Sequence, residues 1–155
     1  MLRLSKKADY ALIAMKHLAL RGDRSVQTSS SAREIAELYG IPVELMAKIL
    51  QRLVRRGLLA SQQGTRGGYQ LGRSPSQISV ADVIQAIDGP VTVTACSTDD
   101  GQCEQFSKCN VRDPLWKVRE RIVQALGECT IAELAADPAP VPQNDTRPAT
   151  FHTHQ

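Results

Sequence analysis

Long apolar runs are missing from this chain of 155 residues. The ~20 consecutive apolar residues that cross a bilayer occur nowhere. The best N-terminal stretch, Tyr10–Met15, is broken at once by Lys16 and His17. Neither a membrane span nor a secretory leader is expected, and the chain is expected to stay in the cytoplasm. Aromatic residues are scarce, at 4%, which leaves Leu, Ile, Val and Ala to build the core and favours helices over a sandwich or barrel. No CxxC pair occurs among the 4 cysteines, and no His lies near one. A thiol oxidoreductase therefore lacks its usual parts, and no enzymatic activity is expected. Acidic residues are few in the first half: residues 1–75 hold 13 Lys and Arg against 5 Asp and Glu, whereas 76–155 hold 6 against 11.

The chain has ordinary globular proportions, 42% hydrophobic and 23% charged, and is long enough for one domain with a proper core but not for two large ones. Its basic half suits a polyanion, of which the nucleic-acid backbone is the commonest, although a solvated basic surface has the same composition.

Hydrophobic spacing and caps set out the elements. Ser5 can cap a helix over Lys6–Leu20, with Ala11, Met15 and Leu18 on one face. The polar stretch Gly22–Ser30 reads as a loop. Ser31 starts a short helix, Ala32–Leu38, in which Ile35 and Leu38 are expected to point inward, and Gly40 ends it. Pro42 opens a longer helix to about Arg56, with an apolar stripe of Val43, Met46, Leu50 and Leu53. Leu58–Gln62 and Tyr69–Leu71 are strand candidates around Gly64-Thr65-Arg66-Gly67-Gly68, which reads as a hairpin. That Gly-rich turn does not open a helix, so it is no dinucleotide site. Ser79 caps a helix over Val80–Asp88, closed by Gly89-Pro90. Residues 91–112 are irregular. A long helix runs from Asp113-Pro114 to about Leu126, and a short one over Thr130–Ala136. From Asp137 onward almost no bulky apolar residue remains, and a disordered tail is expected.

Helix, short helix, tight turn, longer basic helix and hairpin follow the order of a winged helix-turn-helix, so a mainly α fold with a small β wing is predicted. A helix fits the major groove, and Lys48, Gln51, Arg52 and Arg55 lie on the side opposite the apolar stripe, where they can reach bases and phosphates. Arg66 at the hairpin tip can enter a minor groove or touch a phosphate. An amphipathic helix pair with a solvated basic side would look the same in the helices alone; the hairpin and the charge asymmetry favour double-stranded DNA.

Cys96, Cys103 and Cys109, with gaps of six and five residues, sit in a segment rich in Asp, Gly and Ser. Cysteine is usually a buried residue, so three in such a segment call for another explanation. Thiolates are soft ligands for zinc, copper or iron–sulfur clusters. Structural zinc usually takes pairs two to four residues apart, whereas these gaps suit a loop wrapped around a larger object. A zinc-stabilised nucleic-acid-binding protein remains the alternative. Cys129, just before a helix start, reads as structural.

Leu4-Ser5, Asp9-Tyr10-Ala11, Ile35-Ala36, the Leu53–Leu59 stretch and Gly67-Gly68-Tyr69-Gln70-Leu71 resemble the IscR and NsrR branch of winged-helix regulators, the Rrf-two family, over residues 1 to about 136. The opening Met1-Leu2-Arg3-Leu4-Ser5-Lys6 looks most like members that regulate the Suf iron–sulfur assembly system. The resemblance implies a DNA-binding region over 1–75 and a cluster loop and dimerisation helix over 76–136; the tail over 137–155 lies beyond it and is read from composition. It implies a homodimer paired through the long helix, whose Leu115, Val118, Ile122 and Leu126 follow helical spacing and could form the seam or pack within their own subunit. It implies a 2Fe-2S or 4Fe-4S cluster on Cys96, Cys103 and Cys109, sensing iron, oxygen, nitric oxide or redox state. Where IscR-like members place a ligand His, this chain has Arg112, which cannot ligate. The nitric-oxide-sensing branch uses an acidic residue of the partner subunit, matched here by Asp9. The same Asp9 is also explained as an acid favoured by a helix N-terminus. His152 and His154 lie in the tail and are not expected to ligate.

Overall fold

The computed structural model describes residues 3–24, 29–64, 67–92, 104–105 and 107–137. Cys96, Cys103, Arg66, His152, His154 and the expected tail beyond Asp137 lie outside the described residues. The described elements are α1 (Lys6–Arg24), α2 (Ala32–Tyr39), α3 (Val43–Arg55), β1 (Leu59–Gln62), β2 (Gly68–Leu71), a single 3₁₀ turn at Pro75–Gln77, α4 (Val80–Asp88), α5 (Arg112–Glu128) and α6 (Ile131–Ala136).

The caps lie where the residue types place them. Ser5 Oγ accepts the Ala8 amide at 3.0 Å, and Ser31 Oγ accepts the Glu34 amide at 3.1 Å. Ser79 and Asp82 form a reciprocal capping box at 3.0 Å in each direction, satisfying two amides that a helix start leaves unpaired. Gly40 ends α2 in the left-handed conformation, φ 66°, where a side chain would clash with its own backbone.

Three expectations are corrected. α1 continues past Leu20 to Arg24, so Gly22 lies inside a helix and not at the start of a loop. Leu38, expected inside, is 60% exposed. The inward face of α2 is set by Ile35 and Ala36, both buried, and by Tyr39 packed against the core; those residues centre between Ile35 and Ala36 and leave Leu38 more than a quarter-turn away. Pro42 occupies the N-cap position just outside α3, with no side-chain cap bond, and not its first turn, and Ile49 joins Met46, Leu50 and Leu53 in the buried stripe.

The core gathers Met15 and Leu18 of α1, Ile35 of α2, Met46, Leu50 and Leu53 of α3, Ile78 and Val83 at α4, and Ile131 of α6. Each such side chain contributes about 1.5–3 kcal/mol when taken from water. Ala8, Ala11 and Ala14 on α1 are fully buried, and α1 packs against α3, α4 and α6; small side chains let those helices approach closely. An antiparallel bridge between Ser79 and Thr130 joins the starts of α4 and α6, with Val80 donating to the Cys129 carbonyl at 2.8 Å and Ile131 to that of Ile78 at 2.8 Å.

Candidate nucleic-acid interface and cysteine segment

Buried Met46, Ile49, Leu50 and Leu53 fix one side of α3, so its other side is presented without freedom to rotate. Lys48, Gln51, Arg52 and Arg55 are all exposed there and fall within about 100° of the helix circumference at 100° per residue. The stripe therefore gathers three cations and one amide on one side, with exposed Glu44 in the first turn and Arg52 and Arg55 in the last, where the helix dipole favours cations.

The hairpin follows directly. β1 and β2 pair antiparallel in the register Leu59↔Leu71, Ala60↔Gln70, Ser61↔Tyr69 and Gln62↔Gly68. Gly67 donates to the Gly64 carbonyl at 2.9 Å, bringing the two ends of the hairpin connection together. A Cβ on Gly67 would lie 2.6 Å from the Gln62 carbonyl oxygen, so the tight turn requires glycine. Beyond the expected two strands, Ser30 pairs antiparallel with Tyr69 and ties the start of α2 to the hairpin.

Cys109 is free and half-buried, three residues ahead of α5 and apart from the hydrophobic core. The segment that carries the cysteines leaves α4 at Gly89-Pro90 and returns at α5. Its near end is pinned: Arg119 Nε of α5 donates to the Val91 carbonyl at 2.7 Å. A thiol outside the core is a soft donor of the kind metals take, but among the described residues no three metal-binding side chains come together. Arg112 bonds Asp113 at 3.1 Å and offers no lone pair for a metal.

Asp9 stands exposed in the first turn of α1. Ser5, four residues before it, donates its hydroxyl proton to Asp88 Oδ1 at 2.7 Å, joining the start of α1 to the end of α4 just ahead of the cysteine segment. No sequence signal reveals that link, because its partners are 83 residues apart. Burial first, then a hydrogen bond and the negative charge of Glu133, push the Cys129 thiol pKa up. A thiol held protonated is a poor ligand, in keeping with a structural role.

Of the four positions expected along α5, Ile122 and Leu126 line a cleft of about 470 Å³ against Ile84, Val91 and Leu4. Leu115 is half-buried and Val118 is 41% exposed. No described residue of α5 is buried, and Trp116 and Val118 both stand exposed on it. Among the described residues no helix is long and apolar enough to cross a membrane.

A family model described as an iron-dependent transcriptional regulator, Rrf2, matches residues 4–137. The chain is 36% identical over 134 residues to the transcriptional regulator IscR of Xenorhabdus nematophila, covering 86% of this chain and 79% of that protein. Against IscR of Yersinia pestis it is 36% identical over 152 residues, 94% of this chain and 90% of the relative. Among solved structures, CymR of B. subtilis, described as a global cysteine regulator, superposes with TM-score 0.69 at 28% identity over 87% of this chain and 97% of that one. IscR of T. potens does so with TM-score 0.64 at 28% identity, over 86% and 85%.

Proposed function

Since this chain belongs to the Rrf2 family of transcriptional regulators, we propose that it is a homodimeric, cytoplasmic DNA-binding regulator whose hold on operator DNA depends on an iron–sulfur cluster. In this reading Cys96, Cys103 and Cys109 hold the cluster, Asp9 of the other subunit supplies the fourth ligand, and the regulated genes are those of Suf-type cluster assembly. Lys48, Gln51, Arg52 and Arg55 read the major groove, and Arg66 reaches the minor groove or a phosphate. Two subunits meet along α5 through Leu115, Val118, Ile122 and Leu126.

The observation that carries the reading is connectivity. The cysteine segment begins at the end of α4, and α4 packs on both α1 and α3, so strain or order in the segment reaches the basic side of α3 through packed helices. When bound, a cluster supplies iron whose ligation responds to oxygen, nitric oxide and iron supply. The chain's own contribution would be the three thiolates, on a segment whose first residue, Val91, is bonded by Arg119. Asp9, a hard ligand to iron, would be the easiest to displace.

The experiment is anaerobic purification from iron-replete cells, followed by visible absorbance, iron and sulfide analysis, and titration of holo and apo protein on a duplex recovered by selection from a random library. Visible colour with stoichiometric sulfide, lost in Cys109→Ala and retained in Cys129→Ala, is expected, as is a different affinity for the two forms. Colourless protein containing zinc would replace the sensor reading with a zinc-stabilised one. Equal affinities would remove sensing and leave DNA binding.

A further inference from the structure

We infer that Ser30 is the positioning residue of the wing, held from α1 by Arg21 and His17, so that the angle between hairpin and α3 is set by the first helix. The inference rests on the reading of the hairpin as a DNA contact. Ser30 is 1% exposed. Its amide donates to the Tyr69 carbonyl at 3.0 Å, and its carbonyl accepts the Tyr69 amide at 2.8 Å. Ser30 thus adds a third, one-residue strand beside β2. A lone two-stranded hairpin is marginally stable, so its direction follows whatever flanks it. The two backbones touch: a Cβ on Gly68 would fall 2.7 Å from the Ser30 carbonyl carbon and oxygen.

The Ser30 side chain is anchored in turn. Arg21 Nη1 donates to Ser30 Oγ at 2.8 Å, His17 Nε2 lies 3.2 Å from the same oxygen, and His17 Nδ1 lies 3.1 Å from the Tyr39 hydroxyl. A guanidinium only donates, so Ser30 accepts from Arg21; its own proton goes to His17 Nε2 in the neutral tautomer that leaves that nitrogen bare. In that tautomer His17 carries its proton on Nδ1 and donates it to Tyr39. With that neutral tautomer the bonds run from α1 through Ser30 and back to α2, and the Ser30 proton has an acceptor. The charged and titratable groups facing His17 are Arg21 on its own helix and Glu34 and Tyr39 on α2; Glu34 pairs with Arg21 at 3.3 Å. Protonating His17 would turn a second N–H toward Ser30, beside the Arg21 cation, and strip the buried hydroxyl of its acceptor. Burial first, then Arg21, hold the His17 pKa below its ordinary value, with Glu34 opposing.

The test uses the full chain and a labelled duplex recovered by selection, with affinity followed by anisotropy from about pH 8 to about pH 5.5, the window in which histidine charges. The native chain is expected to lose about tenfold in affinity toward the acid end, the effect of one broken buried link. Ser30→Ala is expected to bind about tenfold more weakly at every pH, with a flat profile. His17→Gln, neutral throughout, is expected to keep the pH 8 affinity and to lose the acid fall, a result that a merely structural role would not produce. Backbone amide exchange at Ser30 and Tyr69 in the free protein is the second readout, and it is expected to quicken in Ser30→Ala. If both variants match the native profile and those amides exchange unchanged, the inference is overturned while DNA binding stands. If even the native chain binds no duplex, the DNA reading falls, and amide exchange alone decides whether Ser30 holds the hairpin.

Discussion

The guanidinium of Arg119 sits 2.7 Å from the Val91 carbonyl oxygen and 4.9 Å from the centre of the Trp116 ring. A single side chain of α5 therefore clamps the start of the cysteine segment and stacks on the only tryptophan. A planar guanidinium can do both, whereas a lysine ammonium offers only a point charge.

Arg119→Ala should loosen the base of that segment without touching any proposed ligand. The expected outcome is a cluster lost several-fold faster to a chelator or to air, since supports outside the ligand set tune metal affinity by about ten- to a hundredfold. Decay of visible absorbance measures it. DNA binding by the apo protein should not change; if the cluster persists as in the native chain, Arg119 does not stabilise the segment.

Ser5 both caps α1 and bonds Asp88. Ser5→Ala removes both roles and should cost about 1 kcal/mol, most of it from the lost cap. Asp88→Ala, which removes the acceptor and leaves the cap, should cost less. Urea unfolding compares the two, and an equal cost would show that the link to α4, not the cap, carries the effect.

Gly68→Ala would push a methyl group into the Ser30 backbone, 2.7 Å away. Backbone cannot rotate aside as a side chain can, so the hairpin must shift, at a cost of about 1–3 kcal/mol. A lower melting temperature and weaker DNA binding are expected together, with α3 intact by circular dichroism. Unchanged affinity would mean that the hairpin does not contact DNA.

Arg52 lies on the basic side of α3. Arg52→Ala should weaken binding, and if Arg52 meets a phosphate the slope of log affinity against log salt should fall by about 1. If it reads a base, the slope should stay and discrimination at one position should relax by about 1–3 kcal/mol. Titration at several salt concentrations on two duplexes separates these outcomes. No change in either would take Arg52 off the interface.

The fold should lose stability on mild acidification through His17. Its pKa lies below the ordinary value when folded, while the unfolded chain titrates near 6.5. Between those two values the unfolded state binds more protons, so stability falls as pH drops through that window and levels off beneath the folded value. Urea midpoints from about pH 7.5 to about pH 5 should show that fall in the native chain and a smaller one in His17→Gln. A slope of the same size in both proteins would assign it elsewhere.

Much of the molecule could be read before its structure was known. Ser31, Gly40 and Ser79 cap where they should because a cap is a contact within three or four residues. Met46, Leu50 and Leu53 are buried because one face of a 3.6-residue period has to be. The basic side of α3 follows as the complement of that face. Leu38 failed for the same kind of reason: a short helix has too few apolar residues to define its own inward direction, and the pull of Ala36 and Tyr39 toward the core settled it. The end of α1 was misplaced because Gly22 resembles a stop, while Arg21 gains partners on α2 and at Ser30 that hold the helix on.

Residue type and spacing alone were enough for the helices, their caps, the hairpin and the basic side of α3, since each depends on neighbours a few residues apart. Joining Ser30 to Tyr69, Ser5 to Asp88 and Arg119 to Val91 took the packed fold. Those contacts bridge 28 to 83 residues of chain, and nothing in a linear pattern says which distant polar groups will be brought within 3 Å when apolar faces close on one another.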